Sequence, residues 1–347
     1  VLENKYEIDG KPCAEIFASK AEDFELRGDI QKACRIPTES VLFNIQEKLD
    51  ATTKSTIDPV LNIFVKEFNR KMGYDDKKPE IAEIERYFDN KGKYEFFKEE
   101  YQKRFGETWE NGRKSILLKL QRVAEIMAEI DGIPQATAFD NIKAQIANYK
   151  IDTDGFVALV KEHLDKQQPG SRFIFFVDEV GQFIGKDVHR MLSLQTIAEG
   201  LSDKTNGQSI VIVTSQMDID ATLGNLDKQQ EYDFSRIQGR FDTRISLTSA
   251  NADEVIQRRL LEKEEEPQQM LCEVYQKENH IIKSLFNFGD NSQFKSNYKN
   301  DQQFAIDFPF IDYQFNLVQS CIIELSKNNA FSGKQQSVGE RSLLTIT

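Results

Sequence analysis

The sequence predicts an α/β fold built around a parallel sheet, with a large helical insertion and a helical C-terminal region. Apolar runs at 173–177 and 210–213 have the length and composition of strands buried on both faces. An amphipathic helix is predicted between them, over 187–201, which gives the strand–helix–strand order of a parallel sheet. Apolar residues at helical spacing also recur throughout 57–168.

Composition excludes several classes of protein. The chain has 347 residues, which is enough for two or three domains, and its net charge of −12 disfavours a surface that coats nucleic acid. No run of 18 apolar residues is present, so we expect no transmembrane helix and no membrane partner. The four cysteines and three histidines do not have the spacing of metal ligands, so we expect no metal site built from them. The cysteines are far apart in the sequence, which favours free thiols and a location in the cytoplasm.

The first part of the chain, 1–56, contains one predicted strand, the apolar run at 41–45. Asp58 and Pro59 then predict the start of a helix, since Asp is a good cap and Pro suits the first turn; Gly73 predicts its end. Together with this helix, five more predicted helices make up a helical insertion over 57–170. Their apolar residues recur at helical spacing over 80–89, 94–105, 115–130, 138–149 and 154–165. We interpret their apolar stripes, including Leu117, as core-facing.

The predicted core resumes over 171–250 and ends with a third strand at 244–248. A capping pattern at Asn251–Glu254 opens the last predicted region, 251–347, as a helical lid. Helices are predicted there at 252–264, 267–286 and 311–327, and the polar stretch 288–309 is predicted to be a loop.

Two acids follow the apolar run of the first core strand. Asp178 and Glu179 therefore lie at the carboxyl end of a buried strand, where open α/β sheets bind ligands. This is the Walker B pattern of P-loop ATPases, in which Asp178 holds Mg²⁺ and Glu179 polarises the attacking water. The alternative is a strand that simply ends in surface acids.

The second core strand also ends in polar residues, Thr214, Ser215 and Gln216. This is the position and chemistry of a sensor-1 group, which contacts the γ-phosphate of ATP or the attacking water. We assign Thr214 and Ser215 to nucleotide binding and Gln216 to catalysis. Polar residues are common at strand ends, so these three carry weight only together with the acidic pair.

Residues 235–244, which contain Gly-Arg-Phe-Asp, resemble the arginine-finger segment of AAA+ ATPases. Arg240 is the best candidate for the arginine finger, and Arg236 and Arg244 are the next candidates. An arginine finger contacts the γ-phosphate of ATP that is bound to a neighbouring subunit. The alternative is that these arginines pair with nearby acids.

Gly339-Glu340-Arg341 resembles a sensor-2 motif one residue shorter than usual, which makes Arg341 a candidate nucleotide contact.

The phosphate-binding loop of such ATPases, G-x-x-x-x-G-K-[ST], is absent from the sequence. Four Gly-Lys pairs occur, at 10–11, 92–93, 185–186 and 333–334, and none fits the motif. In these ATPases the loop precedes the Walker B strand, after a strand in the middle of the sheet. We therefore expect it upstream of Val1, so that the core is incomplete at its N-terminus and the chain alone is inactive.

Several strings resemble a more specific family, the large P-loop ATPases of bacterial BREX phage-defence systems, called BrxC or PglY. The clearest is Phe-Ile-Phe-Phe-Val-Asp-Glu-Val-Gly-Gln-Phe-Ile-Gly at 173–185; others lie at 210–216, 233–257, 309–315 and 339–342. The resemblance covers the chain from about 1 to 347 and is densest over 171–260.

This resemblance implies a cytoplasmic, AAA+-like subunit that hydrolyses ATP with Mg²⁺ in anti-phage defence. It also implies that the partners are other BREX subunits, including a methyltransferase, with DNA contacted indirectly and a self-oligomer formed through Arg240. The alternative is a non-catalytic interaction or scaffold module. Direct DNA binding is a third possibility, disfavoured by the net charge although basic pairs such as Arg113-Lys114 and Arg258-Arg259 occur.

Overall fold

A computed structural model describes most of the chain. The residues that it describes are 1–21, 23–49, 58–184, 187–215, 256–258, 260–285, 298–311 and 313–315, with the single residues 241, 243, 245, 317, 320 and 321. They belong to two compact units, Val1–Asp242 and Thr243–Thr347. The fold is mixed α/β and mostly helical, with one three-stranded parallel sheet. Within the described ranges, no helix has the length and apolar character needed to cross a membrane.

The first unit begins with a small hairpin and two helices that lead into the sheet. The hairpin strands are β1 (Glu7–Ile8) and β2 (Lys11–Pro12), and the helices are α1 (Cys13–Ser19) and α2 (Phe24–Arg35). The sheet contains β3 (Thr38–Asn44), β4 (Arg172–Asp178) and β5 (Ser209–Val213), in the order β3-β4-β5 with all pairs parallel. The strand predicted to carry the two acids is therefore the central one.

Nine helices of the first unit follow β3 in the described part of the chain, and a short 3₁₀ segment lies among them at Arg113–Leu118. Seven precede β4: α3 (Pro59–Met72), α4 (Pro79–Asn90), α5 (Tyr94–Phe105), α6 (Trp109–Gly112), α7 (Leu120–Asp131), α8 (Gln135–Ala147) and α9 (Thr153–Asp165). The short α10 (Val180–Ile184) and the longer α11 (Val188–Lys204) connect β4 to β5.

One face of the sheet is covered by α3, α9 and α11. Their apolar side chains form a single core with the strands, and its centre is a group of phenylalanine rings at 43, 64, 68, 156, 173 and 175. The start and end of α3 follow the sequence signals. The side chain of Asp58 accepts a hydrogen bond from the Leu61 N–H, and Gly73 ends the helix with a φ of 81°.

The helices between α3 and α9 form a second core of their own. Its buried residues come from 74–142, and Met72 packs against both cores. A fully buried carboxylate, Glu85, lies at its centre. Glu85 Oε1 accepts hydrogen bonds from Tyr94 Oη (2.9 Å), Trp109 Nε1 (2.6 Å) and Arg113 (2.8 Å), and Oε2 accepts one from the main chain of Asp75 (2.5 Å). Burial and this carboxylate together raise the pKa of Tyr94.

The N-terminal segment is attached to the sheet and to α3 through Glu3. Its carboxylate accepts hydrogen bonds from the main chain and hydroxyl of Ser40 at 2.6 and 3.0 Å and from Lys71 at 2.8 Å. Lys5 Nζ forms a further ion pair with the carboxylate, 3.3 Å from Glu3 Oε2. Partial burial raises the pKa of Glu3, but the hydrogen bonds from Lys71 and Ser40 outweigh this effect and lower it to about 2.

We expect the Glu3 contacts to stabilise the fold at neutral pH and to be lost in acid. The folded-state pKa lies below the usual 4.5, so the contribution is complete above pH 4.5 and declines as the pH falls towards 2. Glu3→Gln should cost about 1–2 kcal/mol of unfolding free energy at pH 7 and roughly a quarter of that at pH 2.5, where the folded-state carboxylate is only partly protonated. Urea unfolding at both pH values measures this, with Glu7→Gln on the exposed hairpin as control. An equal loss at both pH values would contradict it.

The second unit contains α12 (Glu265–Leu285) and α13 (Asp301–Asp307). They pack together around Tyr275, Tyr298, Phe304 and Ile311. Asn300 caps α13, because its side chain accepts a hydrogen bond from the Gln303 N–H.

Several sequence predictions are wrong in detail. The period over 115–130 is not one helix, because Ser115 has non-helical dihedral angles and α7 begins only at Leu120. Leu117 is consequently half exposed instead of core-facing. The helix predicted over 252–264 does not continue through 260–264. The polar stretch 288–309 contains α13, which its Asn300 cap and the contacts of Phe304 stabilise. The strand predicted at 244–248 lies outside the described residues apart from Ile245.

Candidate functional site

Three strand ends meet at the carboxyl edge of the sheet. β3 ends at Asn44, β4 at Asp178 and β5 at Val213, and Asn44 lies directly opposite Asp178 in the β3–β4 register. Thr214 and Ser215 continue the chain beyond β5. In an open parallel sheet this edge is where ligands bind. Of the residues predicted from sequence, four lie here: Asp178, Glu179, Thr214 and Ser215.

Asp178 and Thr214 are in direct contact. The Thr214 hydroxyl donates a short hydrogen bond to Asp178 Oδ1, and the main chain of Glu179 donates to the same oxygen at 3.0 Å. The side chain of Asp178 is exposed. Within the described part of the chain no hydrogen bond reaches its second oxygen, Oδ2. Asp178 is thus a carboxylate of fixed orientation with one oxygen directed to other partners or to water.

The main chain around these two residues is fixed by the sheet. Thr214 donates its N–H to the Val177 carbonyl at 2.9 Å, and Val180 donates its N–H to the Thr214 carbonyl at 3.0 Å. On the other side, Ile45 donates its N–H to the Asp178 carbonyl at 3.1 Å. Hydrogen bonds of the parallel ladder therefore continue to the last residue of the central strand, which limits movement of the Asp178 backbone.

Glu179 has an unusual backbone conformation. Its φ is +62°, a value that residues other than glycine seldom adopt. The residue connects β4 to α10 in a sharp strand-to-helix turn, and its carbonyl accepts a hydrogen bond from the Phe183 N–H at 3.3 Å. Its side chain is half buried. Strained backbone conformations of this kind are found most often at functional sites, so the positive φ supports the prediction that Glu179 is a site residue.

Asn44 belongs to this edge and was not predicted as a site residue. Its side-chain oxygen accepts hydrogen bonds from the main chains of Gln46 (3.0 Å) and Glu47 (3.2 Å), which shape the turn after β3. The sequence contained one signal for it, a polar residue near the end of the apolar run 41–45. That signal could be used only once β3 was known to be the neighbour of β4.

The remaining predicted site residues lie outside the described residues. These are Gln216, Arg240 and Arg341, together with the alternative fingers Arg236 and Arg244. No cluster of three or more His, Cys, Asp or Glu side chains with metal-binding geometry occurs among the residues that the structure describes. A magnesium ion does not require such a cluster, because it keeps several of its waters and often uses one or two carboxylates.

A cavity of about 540 Å³ lies away from this edge, near the amino end of β3. Its wall contains the pair formed by His163 Nε2 and Glu39 Oε2, 2.7 Å apart, and also Lys71 and Arg86. The hydrogen bond with His163 lowers the pKa of Glu39, and partial burial of the carboxylate offsets only part of this decrease. Charged groups of both signs line the cavity. His163 pairs with Glu39 within the lining, whereas Lys71 and Arg86 pair with the nearby Glu3 and Glu83, which indicates a structural junction between the two cores of the first unit.

No known family profile matches the chain, and no solved protein structure matches it.

Proposed function

We propose that the carboxyl edge of the sheet is the magnesium and water-activating half of an ATP-hydrolysing site of the P-loop, AAA+-like class. The observation that carries the proposal is the pair Asp178–Glu179 at the end of the central strand, with the Thr214 hydroxyl on Asp178 Oδ1. Asp178 would hold Mg²⁺ through water with Oδ2, and Glu179 would orient the attacking water.

The form of the sheet supports this class of fold. Within the described residues β5 pairs on one side only, and its Ile210 and Ile212 are more than a third exposed. In a P-loop ATPase the strand that precedes the phosphate loop lies in the middle of the sheet, so a further strand is required beside the ones seen here. The proposal needs a phosphate-binding loop from outside the 347 residues, since the sequence contains none.

The resemblance to BREX ATPases extends the proposal to a biological setting. We would place the protein in the cytoplasm, as a subunit of a phage-defence complex that contains a methyltransferase, with DNA as an indirect partner. Arg240 would act on ATP held by a neighbouring copy. A non-catalytic scaffold is the second candidate, and the absence of a phosphate-binding motif from the sequence favours it.

Hydrolysis of ATP by the protein with its complete reading frame tests the proposal. We expect turnover that requires Mg²⁺ and that falls at least 100-fold in Asp178→Asn, because the neutral side chain binds the metal's waters more weakly. Asp203→Asn on the exposed end of α11 is the matched control and should not change turnover. Unchanged turnover in Asp178→Asn would reject the metal site, and absence of any nucleotide binding would favour the scaffold.

A further inference from the structure

The hydroxyl group of Thr214 has a single proton, and the structure shows which acceptor receives it. Thr214 Oγ1 donates the proton to Asp178 Oδ1, since a carboxylate oxygen can only accept. No second hydrogen bond of the Thr214 side chain occurs among the residues that the structure describes. The hydroxyl oxygen can therefore accept a further hydrogen bond, but it has no proton left to donate.

The main chain keeps Thr214 beside Asp178. The Thr214 N–H is bonded to the Val177 carbonyl at 2.9 Å, and the Thr214 carbonyl accepts the Val180 N–H at 3.0 Å. Val177 and Val180 flank the Asp178–Glu179 pair in the sequence, so both bonds join Thr214 to the segment that carries the two acids. A threonine side chain has few χ1 rotamers, and leaving the present one would break a hydrogen bond to a charged group.

This use of the proton is incompatible with a simultaneous contact between Thr214 and a phosphate group. The phosphate oxygens of ATP are ionised acceptors, so a threonine side chain binds them by donating its hydroxyl proton. Donation to phosphate would therefore take the proton away from Asp178. Ser215 stays a predicted nucleotide contact at this strand end, whereas Thr214 is better suited to a different role.

The same hydrogen bond determines which oxygen of Asp178 is available. Oδ1 accepts from the Thr214 hydroxyl and from the main chain of Glu179 at 3.0 Å, and rotation of the carboxylate would break both bonds. Oδ2 receives no hydrogen bond from any residue in the described ranges. Groups that orient a metal-binding side chain in this way typically change metal affinity about 10–100-fold when they are removed.

We propose that Thr214 is a positioning residue, which orients Asp178 for the metal and does not contact the phosphate groups of the nucleotide. The proposal rests on the ATPase site proposed above and changes one assignment within it, because the sequence alone placed Thr214 among the nucleotide contacts. Thr214→Val keeps the shape of the side chain and removes only the hydroxyl, so it separates the two roles.

Nucleotide binding by the protein with its complete reading frame tests the proposal. The probes are fluorescent derivatives of ADP and of a non-hydrolysable ATP analogue. In EDTA, Thr214→Val should leave the Kd of both probes within about twofold of the original, since no phosphate contact is lost. In a Mg²⁺ titration, the concentration that gives half of the effect on binding should rise on the order of tenfold, because Asp178 is no longer held in one orientation.

Two further variants show that the hydroxyl is responsible. Thr214→Ser keeps the hydroxyl and should retain the original Mg²⁺ requirement. Thr196→Val makes the same substitution at an exposed position of α11 and is the matched control. At saturating Mg²⁺, kcat of Thr214→Val should return to within about threefold of the original, since the oriented carboxylate can then be replaced by a higher metal concentration. Circular dichroism and urea unfolding of each variant establish that the fold is kept.

A double-mutant cycle gives the sharper result. Asp178→Ala removes the group that Thr214 orients, so the addition of Thr214→Val should change the Mg²⁺ requirement by less than about twofold. A direct and independent contact of Thr214 would instead give an additive effect.

Each of three results would overturn the proposal. If Thr214→Val in EDTA weakens binding of the ATP probe but not of the ADP probe, Thr214 is a phosphate contact. If Asp178→Ala raises the Mg²⁺ requirement but Thr214→Val does not, the metal site stands and the orienting role is rejected. If Asp178→Ala leaves the requirement unchanged, the metal site itself is rejected and the role of Thr214 with it.

Discussion

Glu85→Ala is expected to cost about 3–5 kcal/mol, because it removes a buried carboxylate and leaves the Arg113 guanidinium unpaired. The indole of Trp109 and the hydroxyl of Tyr94 lose their acceptor at the same time. A loss of this size is a large part of the stability of an ordinary domain. The second core of the first unit, residues 74–142, should therefore unfold at much lower urea concentration.

Trp109 makes this measurement direct. It is the only tryptophan of the chain, it is fully buried, and it lies in the affected core. Urea unfolding followed by its fluorescence and by circular dichroism gives the change in midpoint. Glu85→Gln should be less harmful than Glu85→Ala, since it keeps one acceptor oxygen. Glu99→Ala, on the exposed side of α5, should change stability by less than about 0.5 kcal/mol. A midpoint unchanged by Glu85→Ala would show that the other contacts of this core are sufficient.

Glu179→Gln is expected to have the largest effect on turnover, if the protein with its complete reading frame hydrolyses ATP. The amide has nearly the same shape as the carboxylate but cannot accept a proton from water, so turnover should fall about 10²–10⁴-fold. Binding of Mg²⁺ and nucleotide should change little, because Asp178 is intact. The variant would therefore accumulate bound ATP.

Separate measurements of kcat and of nucleotide Kd distinguish this role from a structural one. The unusual backbone at Glu179, with its φ of +62°, offers a second comparison. Glu179→Gly suits that conformation and keeps the turn, yet it lacks the side chain, so it should be as inactive as Glu179→Gln. Activity in either variant would assign Glu179 to the turn instead of the chemistry. Glu110→Gln, an exposed change on α6, serves as the control.

The strands of the sheet could be predicted because their signals are local. The run Phe173–Val177 is apolar at every position and follows Pro169-Gly170, so it could be read as a buried strand without knowledge of its neighbours. A strand is likewise predicted at 210–213, and both strands are confirmed. The prediction that 210–213 is buried on both faces is wrong, because Ile210 and Ile212 are exposed. Parallel strands bring their ends to one edge, and this places Asp178 near Thr214.

Other features depend on tertiary contacts that the local pattern does not contain. Nothing in the sequence shows that β3 is the neighbour of β4, so the position of Asn44 opposite Asp178 could not be inferred. The helical period likewise continues across Ser115, and only the packing reveals a break that exposes Leu117 and Leu118. The assignments of Gln216, Arg240 and Arg341 stay predictions, since these residues lie outside the described part of the chain.

The position of the second core between two neighbouring strands has a consequence for the order of folding. Thr38 and Arg172, which begin β3 and β4, are 134 residues apart in the chain. Closing so long a loop is slow, whereas the contacts within 74–142 are between residues close in sequence. The helical core should therefore form first and bring the ends of the loop together. Synthesis on the ribosome favours the same order, since 74–142 is complete before the central strand has been made.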